Sequence, residues 1–258
     1  MELKRTAAAI ALLAAAAGWT VWGSVRGAGA QAPQAPSAAP APPPAGAKVY
    51  GEWSIRVRPD KGKQYEQLIR EQGLPLFRES GGRMVGWWTT VIGDLYEHLT
   101  IWEYDGMAAF EKQGELLSKD ERFARFVEAR DPLLGGEESR FLRLADFAEK
   151  PSLPDASKLV VHEIHRVPLG RRQEYLRFME RQLPVLKHHG FRPVGPWLAV
   201  EGEWSAVTYL FRYESLAERD QLVAALRSQA AGQAFHRGIE QLVDDVRIRV
   251  LAPARFAR

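Results

Sequence analysis

A short segment of the chain carries side chains that could bind or act on a small molecule. Residues 95–104 alternate in character, and in a β-strand alternate side chains point to opposite faces. Leu95, Leu99 and Ile101 share one face, which we expect to pack against helices. An aromatic and hydrogen-bonding stripe occupies the other face, and a later segment repeats it: Tyr96, His98, Thr100, Trp102, Tyr104, Tyr209 and Tyr213. We expect the stripe to line a cavity that binds a small apolar or aromatic ligand.

His98 is the candidate within this stripe for acid–base chemistry, because imidazole titrates near neutral pH. The stripe also has a simpler interpretation, in which the aromatic rings fill the core and their hydroxyls bond internally. In that interpretation His98 is a structural core histidine. The sequence leaves both interpretations open.

The other histidines do not form a metal-binding pattern. His162 and His165 stand an odd number of residues apart on a predicted strand, so their side chains face opposite sides. Glu163 and His165 share a face and could hydrogen-bond to each other. His188-His189 ends a predicted helix, where a cation interacts favourably with the helix dipole. The chain has no Cys, which excludes thiol catalysis and cysteine-ligated clusters, and we expect no metal and no cofactor.

An internal repeat organises most of the chain. Residues 50–148 align with residues 159–257 at a constant offset of 109, without a gap. The alignment keeps rare residue types in step: Leu74-Pro75 with Leu183-Pro184, Val85-Gly86-x-Trp88 with Val194-Gly195-x-Trp197, and Tyr104 with Tyr213. Because chance similarity would not preserve proline, glycine and tryptophan together over such a stretch, we interpret the repeat as a duplication.

Each repeat predicts the element order β-α-β-β-α-β of a ferredoxin-like plait. In the first copy, Gly81-Gly82 ends a helix and opens a hairpin over residues 84–104. Helices cover only one face of such a four-stranded sheet, so the other face needs a partner. We therefore predict an α+β fold in which the two repeats pack sheet against sheet as a pseudo-dimeric α+β barrel. The aromatic stripe is expected inside the barrel, with Trp88 and Trp197 near its ends or under the helices.

Two segments of the first repeat resemble the NIPSNAP family. They are residues 81–95 followed by Trp102-Glu-Tyr104-Asp105, and the closing strand over residues 138–147. The resemblance extends over both repeats and implies the dimeric α+β barrel predicted above. For function it implies vesicle transport, mitochondrial quality control or small-molecule binding, without a defined chemistry. The first strand departs from the family pattern Glu-x-Arg-x-Tyr, since Trp53 and Ile55 stand at the Arg and Tyr positions.

Composition and motifs narrow the classes of function. Basic and acidic residues nearly balance, at 35 and 32, so we expect no nucleic-acid binding. No metalloprotease, P-loop, GxSxG or dinucleotide-binding motif occurs. We therefore expect a non-catalytic module that binds a small molecule or scaffolds a partner, with homo-oligomerisation left open. The alternatives are a cofactor-free, monooxygenase-like enzyme acting on an aromatic or haem-like ligand in the barrel, and a purely structural domain.

The N-terminal segment has the features of a signal peptide. Lys4 and Arg5 precede an uncharged, Ala-rich stretch over residues 6–25, and Ala28-Gly29-Ala30 supplies small residues at a cleavage position. The protein is therefore expected to be exported, to the periplasm or beyond. The alternative is an uncleaved N-terminal membrane anchor, which would be the chain's only expected membrane contact.

The predicted organisation has four parts. A Pro/Ala-rich segment without charge follows the signal peptide and is typical of an extended linker. The boundaries are 1–30 for the signal peptide, 31–47 for the linker, 48–150 for the first repeat and 158–258 for the second.

Cleavage after Ala30 predicts a mature protein that begins at Gln31. The intact mass of the exported protein, purified from its native host, checks this prediction, and the expected mass lacks residues 1–30. Recovery of the full-length chain from the membrane fraction would contradict cleavage and indicate an anchor.

Overall fold

The computed structural model describes residues 47–152 and 157–257. The predicted signal peptide and all but the last residue of the predicted linker lie outside the described residues. Within the described ranges, no helix is long and apolar enough to cross a membrane.

Each half of the described chain contains four strands and the helices that connect them. The first half has strands β1 Val49–Val57, β2 Arg83–Ile92, β3 Glu97–Tyr104 and β4 Leu134–Glu149. Its helical segments are α1 Gly62–Leu68, a π-turn Ile69–Gly73, α2 Leu74–Glu79, α3 Met107–Lys119, α4 Glu121–Arg130 and a 3-10 turn Asp131–Leu133. The second half has β5 Leu159–Arg166, α5 Arg172–His188, β6 Arg192–Glu201, β7 Ala206–Tyr213, α6 Leu216–Arg227, α7 Ala230–Leu242, β8 Asp245–Pro253 and a 3-10 turn Arg255–Ala257.

The strands close into one antiparallel barrel in the order β1-β3-β2-β8-β5-β7-β6-β4. Each repeat supplies a four-stranded sheet with the strand order of a ferredoxin-like plait. The two sheets join through the β2–β8 and β4–β6 pairs, so no sheet edge is left open. The predicted fold, two β-α-β-β-α-β repeats that form a pseudo-dimeric α+β barrel, is confirmed.

Aliphatic side chains and two tryptophans from both repeats fill the barrel interior. Trp88 and Trp197 are fully buried there, and the ring of Trp197 lies 5.9 Å from that of Tyr50. The interior cluster consists of Tyr50, Val85, Trp88, Leu99, Ile101, Leu142, Val160, Val194, Trp197, Ala199, Leu210 and Leu251. Of the two places expected for these tryptophans, the one under the helices is therefore wrong.

The aromatic stripe of β3 faces the helices and not the barrel interior. Leu99 and Ile101 belong to the interior cluster, whereas Trp102 and Tyr104 pack in a second cluster formed with the helices of the first repeat. The alternation along the strand was predicted correctly, but the two faces were assigned the wrong way round. An eight-stranded barrel is just wide enough for its side chains to fill it. Tyr50, two tryptophans and a charge network already occupy this interior, so the large rings of the β3 stripe lie on the helix side.

The other residues of the predicted stripe are also outside the barrel interior. His98 packs on Tyr65 of α1, with 5.0 Å between ring centroids. Tyr209 and Tyr213 pack in the cluster formed with the helices of the second repeat. Tyr96 lies in the turn before β3, where its side chain is 53% exposed. Leu95, expected against the helices, is 64% exposed in the same turn.

The two repeats do not correspond at a single offset. Val49 pairs with Tyr104, and Leu159 pairs with Tyr213 in the same way. The first strands therefore correspond at an offset of 110, while the third strands correspond at 109. The first repeat must contain one extra residue, and the predicted gapless alignment was wrong.

The extra residue lies in the helix that follows β1. Tyr65 and Tyr175, both fully buried, correspond at an offset of 110, whereas the prolines further along, Pro75 and Pro184, correspond at 109. Between Tyr65 and Pro75 the helix contains the π-turn Ile69–Gly73, while α5 of the second repeat runs unbroken through this region. A π-turn is the form in which an α-helix accommodates such an insertion, and π-turns often lie at functional sites.

Candidate functional site

A cavity of about 70 Å³ lies between the sheet and the helices of the first repeat. We call it the first-repeat cavity. Its walls are mostly aromatic, and the sheet, the π-turn and the later helices all contribute: Trp53, Ile55, Tyr65, Ile69, Phe77, Trp87, Thr100, Trp102, Tyr104, Gln113, Leu117, Phe123, Phe126, Arg130 and Glu137. The structure thus brings three residues of the predicted stripe together at a cavity, but on the opposite face of the sheet from the one expected.

Thr100 leaves the space open. Its counterpart in the second repeat is Tyr209, whose side chain is fully buried. The Tyr209 ring stacks on Phe211, with 5.9 Å between centroids, and its hydroxyl accepts a hydrogen bond from Tyr175 at 3.0 Å. Tyr175 is the counterpart of Tyr65. A tyrosine therefore occupies in the second repeat the position at which a smaller threonine borders the cavity in the first.

Two buried polar groups on the cavity wall have no hydrogen-bond partner among the described residues. They are the hydroxyl of Tyr65 and the Nε1–H of Trp87. In the second repeat, the hydroxyl of Tyr175 contacts both Tyr209 and His165, at 3.0 and 2.7 Å. The equivalent hydroxyls therefore differ, because Tyr175 is bonded within its repeat and Tyr65 has no partner among the described residues.

An ion pair forms another part of the wall. Arg130 Nη2 lies 3.1 Å from the carboxylate of Glu137 and 3.0 Å from that of Asp131. Burial raises the pKa of Glu137, and the nearby Arg130 acts in the opposite direction. Because Arg130 is paired with two carboxylates, the wall offers no unpaired positive charge at this point.

His98 packs against Tyr65, a residue of the cavity wall. Burial lowers the pKa of His98 to about 4, so the ring is neutral at pH 7. Its Nδ1 has no partner in the described part of the chain, and its ring packs on Tyr65. A pKa so far below neutrality makes His98 a weak general base at pH 7. The geometry favours a core histidine that positions the Tyr65 ring.

A buried charge network lies at one end of the barrel, under a cavity of about 550 Å³. Glu52 accepts hydrogen bonds from Arg140 at 3.0 Å and from His162 Nε2 at 3.3 Å. Arg249 donates to His162 Nδ1 at 3.0 Å and also pairs with Glu97. Because Nδ1 accepts, His162 carries its proton on Nε2 and is neutral.

The charged groups of this network change the pKa values of Glu52 and His162. Burial lowers the pKa of His162 to about 4; Glu52 acts in the opposite direction, and Arg249 lowers it further. Burial alone would raise the pKa of Glu52, but Arg140, His162 and Arg249 together hold it well below its ordinary range. Glu52 and His162 occupy equivalent positions in the two repeats, as do Arg140 and Arg249. The network therefore links the repeats across the barrel.

Part of this arrangement was predicted from the sequence. His162 and His165 face opposite sides as predicted, and the predicted Glu163–His165 contact exists at 3.2 Å. In the described ranges, no group of three or more His, Cys, Asp or Glu residues could hold a metal ion. The cavity residues Tyr65, Trp87, Arg130 and Glu137 and the barrel network were missed. The sequence does contain a signal for the barrel network. An arginine is repeated at positions 140 and 249, and both lie on the interior face of a strand.

Comparisons with known proteins agree with the fold. A model of the NIPSNAP family matches residues 52–149 and 164–258. A relative from Drosophila melanogaster, Protein NipSnap, is 26% identical over 222 residues, which cover 81% of this chain and 78% of the relative.

Two solved structures share the barrel. A proposed monooxygenase from Fusobacterium nucleatum has a TM-score of 0.61 at 12% identity, covering 81% of this chain and 93% of its own. An anthrone oxidase-like protein has a TM-score of 0.53 at 14% identity, covering 81% and 91%. At these identities the likeness concerns the fold alone.

The lowered pKa of His98 predicts a loss of stability in acid. Between pH 6.5 and 4 the unfolded chain binds a proton at this residue that the folded chain does not, so stability falls as the pH falls through this range. From pH 7.5 to 4.5 the contribution of His98 amounts to about 2–3 kcal/mol. Urea unfolding at both pH values measures the free energy of unfolding of the wild type and of His98→Gln. Between pH 7.5 and 4.5 the variant is expected to lose about 2–3 kcal/mol less than the wild type. The exposed His188→Gln is the control, and parallel losses in wild type and His98→Gln would contradict the prediction.

Proposed function

We propose that this chain, which belongs to the NIPSNAP family, is a non-catalytic protein that binds a small aromatic molecule in its first-repeat cavity. The observation that carries the proposal is the difference between Thr100 and Tyr209. The two residues occupy equivalent positions, and only the tyrosine fills the space between sheet and helices. The second repeat thus shows the same position with a larger side chain and serves as the comparison for the cavity in the first.

The walls suit a flat ring. Phe77 makes edge-to-face contacts with Trp102 and Phe126, at centroid distances of 5.6 and 5.7 Å. Aromatic rings prefer such edge-to-face and offset arrangements, so an inserted ring would gain similar contacts. Such a mostly apolar pocket with a few polar groups is typical of a small-molecule site.

The volume suits a single ring. An apolar cavity of about 150 Å³ binds benzene, so a ring needs some widening of a space of about 70 Å³. We expect the widening at Ile69, because this wall residue lies in the π-turn that distinguishes the first repeat from the second. A porphyrin is far larger, so a haem-like ligand does not suit this cavity.

The second candidate is a cofactor-free oxygenase that acts on the bound aromatic. The fold shared with the proposed monooxygenase and the anthrone oxidase-like protein favours it. The low basicity of His98, the one histidine beside the cavity, favours binding without catalysis. Oxygen consumption that depends on an added phenol and is lost in Thr100→Tyr would instead support the enzyme.

We also propose that the protein works outside the cytoplasm, on the basis of residues 1–30. A small molecule bound by an exported protein would be captured or carried at the cell envelope. This part of the proposal depends on the cleavage experiment above and is independent of the cavity.

Thr100→Tyr should abolish binding, because it places the second repeat's tyrosine next to the cavity. Benzene and phenol serve as probes in ligand-observed NMR and calorimetry, and at least a tenfold loss of affinity is expected. The matched control is Tyr209→Thr, which should keep binding in the first repeat and cost about 2–5 kcal/mol of stability through a new void. Binding of either probe that survives Thr100→Tyr, in a folded protein, would contradict the proposed site.

A further inference from the structure

We infer that the molecule bound in the first-repeat cavity carries a neutral oxygen, a phenolic hydroxyl or a ring carbonyl, that hydrogen-bonds to Tyr65 and Trp87. The inference rests on the proposed binding function. It narrows the ligand class from any small aromatic molecule to an oxygen-bearing, uncharged one.

The unpaired groups on the wall define what the ligand must offer. The indole Nε1–H of Trp87 can only donate, and the hydroxyl of Tyr65 can donate or accept. The two side chains are 3% and 0% exposed, so a partner can reach them only from within the protein. An apolar ring would fill the cavity and leave both groups unpaired. A ligand oxygen has the lone pairs that both groups need as an acceptor.

The second repeat shows that these groups are not a requirement of the fold. Tyr175, the counterpart of Tyr65, is hydrogen-bonded to Tyr209. At the position of Trp87 the second repeat has Pro196, which has no side-chain donor. The second repeat, in which Tyr209 fills the space, thus lacks both unpaired groups. The first repeat, which has the cavity, contains both.

Among the described residues, two other tryptophans have an unpaired indole N–H but do not line the cavity. The Nε1 groups of Trp88 and Trp197 also have no partner among the described residues. These two side chains belong to the interior cluster of the barrel and are not on the cavity wall. Trp88 and Trp197 are therefore unpaired away from the cavity, whereas Trp87 borders it.

The charges on the wall disfavour an acidic ligand. The guanidinium of Arg130 is already paired with Asp131 and Glu137, at 3.0 and 3.1 Å. A carboxylate in the cavity would find no free cation, and it would lie near the carboxylate of Glu137. A neutral oxygen meets neither difficulty, so we expect phenols and ring ketones to bind and benzoates to be rejected.

The test compares phenol, benzene and benzoate on the full-length chain by calorimetry. Phenol is expected to bind at least tenfold more tightly than benzene, and benzoate more weakly than both. In Tyr65→Phe and in Trp87→Phe, phenol should lose at least fivefold in affinity, whereas benzene, which bonds to neither group, should not bind more weakly. Tyr175→Phe, the equivalent change in the second repeat, should leave phenol binding unchanged.

The outcomes separate this inference from the proposed function. Equal affinities for benzene and phenol, or phenol binding that neither variant weakens, would overturn the inference and leave the binding function intact. If neither probe binds the wild type, the proposed function fails. Circular dichroism and melting temperature show whether each variant is folded. If only one of Tyr65→Phe and Trp87→Phe folds, that variant alone suffices to compare phenol with benzene.

Discussion

Each repeat forms a four-stranded sheet that its helices cover on one face only, and the apolar residues of the other face must be buried by something else. In this chain the two sheets bury each other and join at both edges. Closure brings Glu52 and His162 from equivalent strands to within 3.3 Å, with Arg140 and Arg249 bonded on either side. Removing one partner from such a buried pair typically costs 3–5 kcal/mol, so the network makes the two repeats depend on each other.

The same closure places the proposed ligand site between a sheet and its helices. The barrel interior is filled by Trp88, Trp197 and aliphatic side chains. The space between a sheet and its helices is free to differ between the repeats. The second repeat has a continuous helix and a tyrosine pair, Tyr175 and Tyr209, whose hydroxyls bond to each other. The first has a π-turn, Thr100 and two polar groups without a partner among the described residues.

Features that depend on local periodicity could be predicted from the sequence. The repeat, the strand order and the alternation along β3 all follow from spacing, and the barrel follows from the need to cover two sheets. The choice of face does not, because alternation says only that Leu99 and His98 point in opposite directions. Which direction is inward depends on what the other repeat contributes to the interior, such as Trp197. The one-residue insertion was hidden because the π-turn Ile69–Gly73 absorbs it without displacing the strands.

The candidate site could be predicted only in part. Thr100, Trp102 and Tyr104 were recognised as a polar and aromatic stripe on one strand. Tyr65 and Trp87 come from other elements, and no spacing in the sequence relates them to Thr100. Their lack of hydrogen-bond partners is a tertiary property, since it arises only when the helix, two strands and the smaller side chain at position 100 meet.

A crystal structure of the protein soaked with 4-bromophenol would show where the ligand lies, because anomalous scattering locates the bromine and the map locates the oxygen. We expect one ordered molecule in the first-repeat cavity, with its oxygen within hydrogen-bond distance of Tyr65 Oη and Trp87 Nε1. The corresponding region beside Tyr209 should remain closed. Bromine found only in the barrel-end cavity above Glu52, or in neither cavity at concentrations that saturate binding in solution, would contradict this expectation.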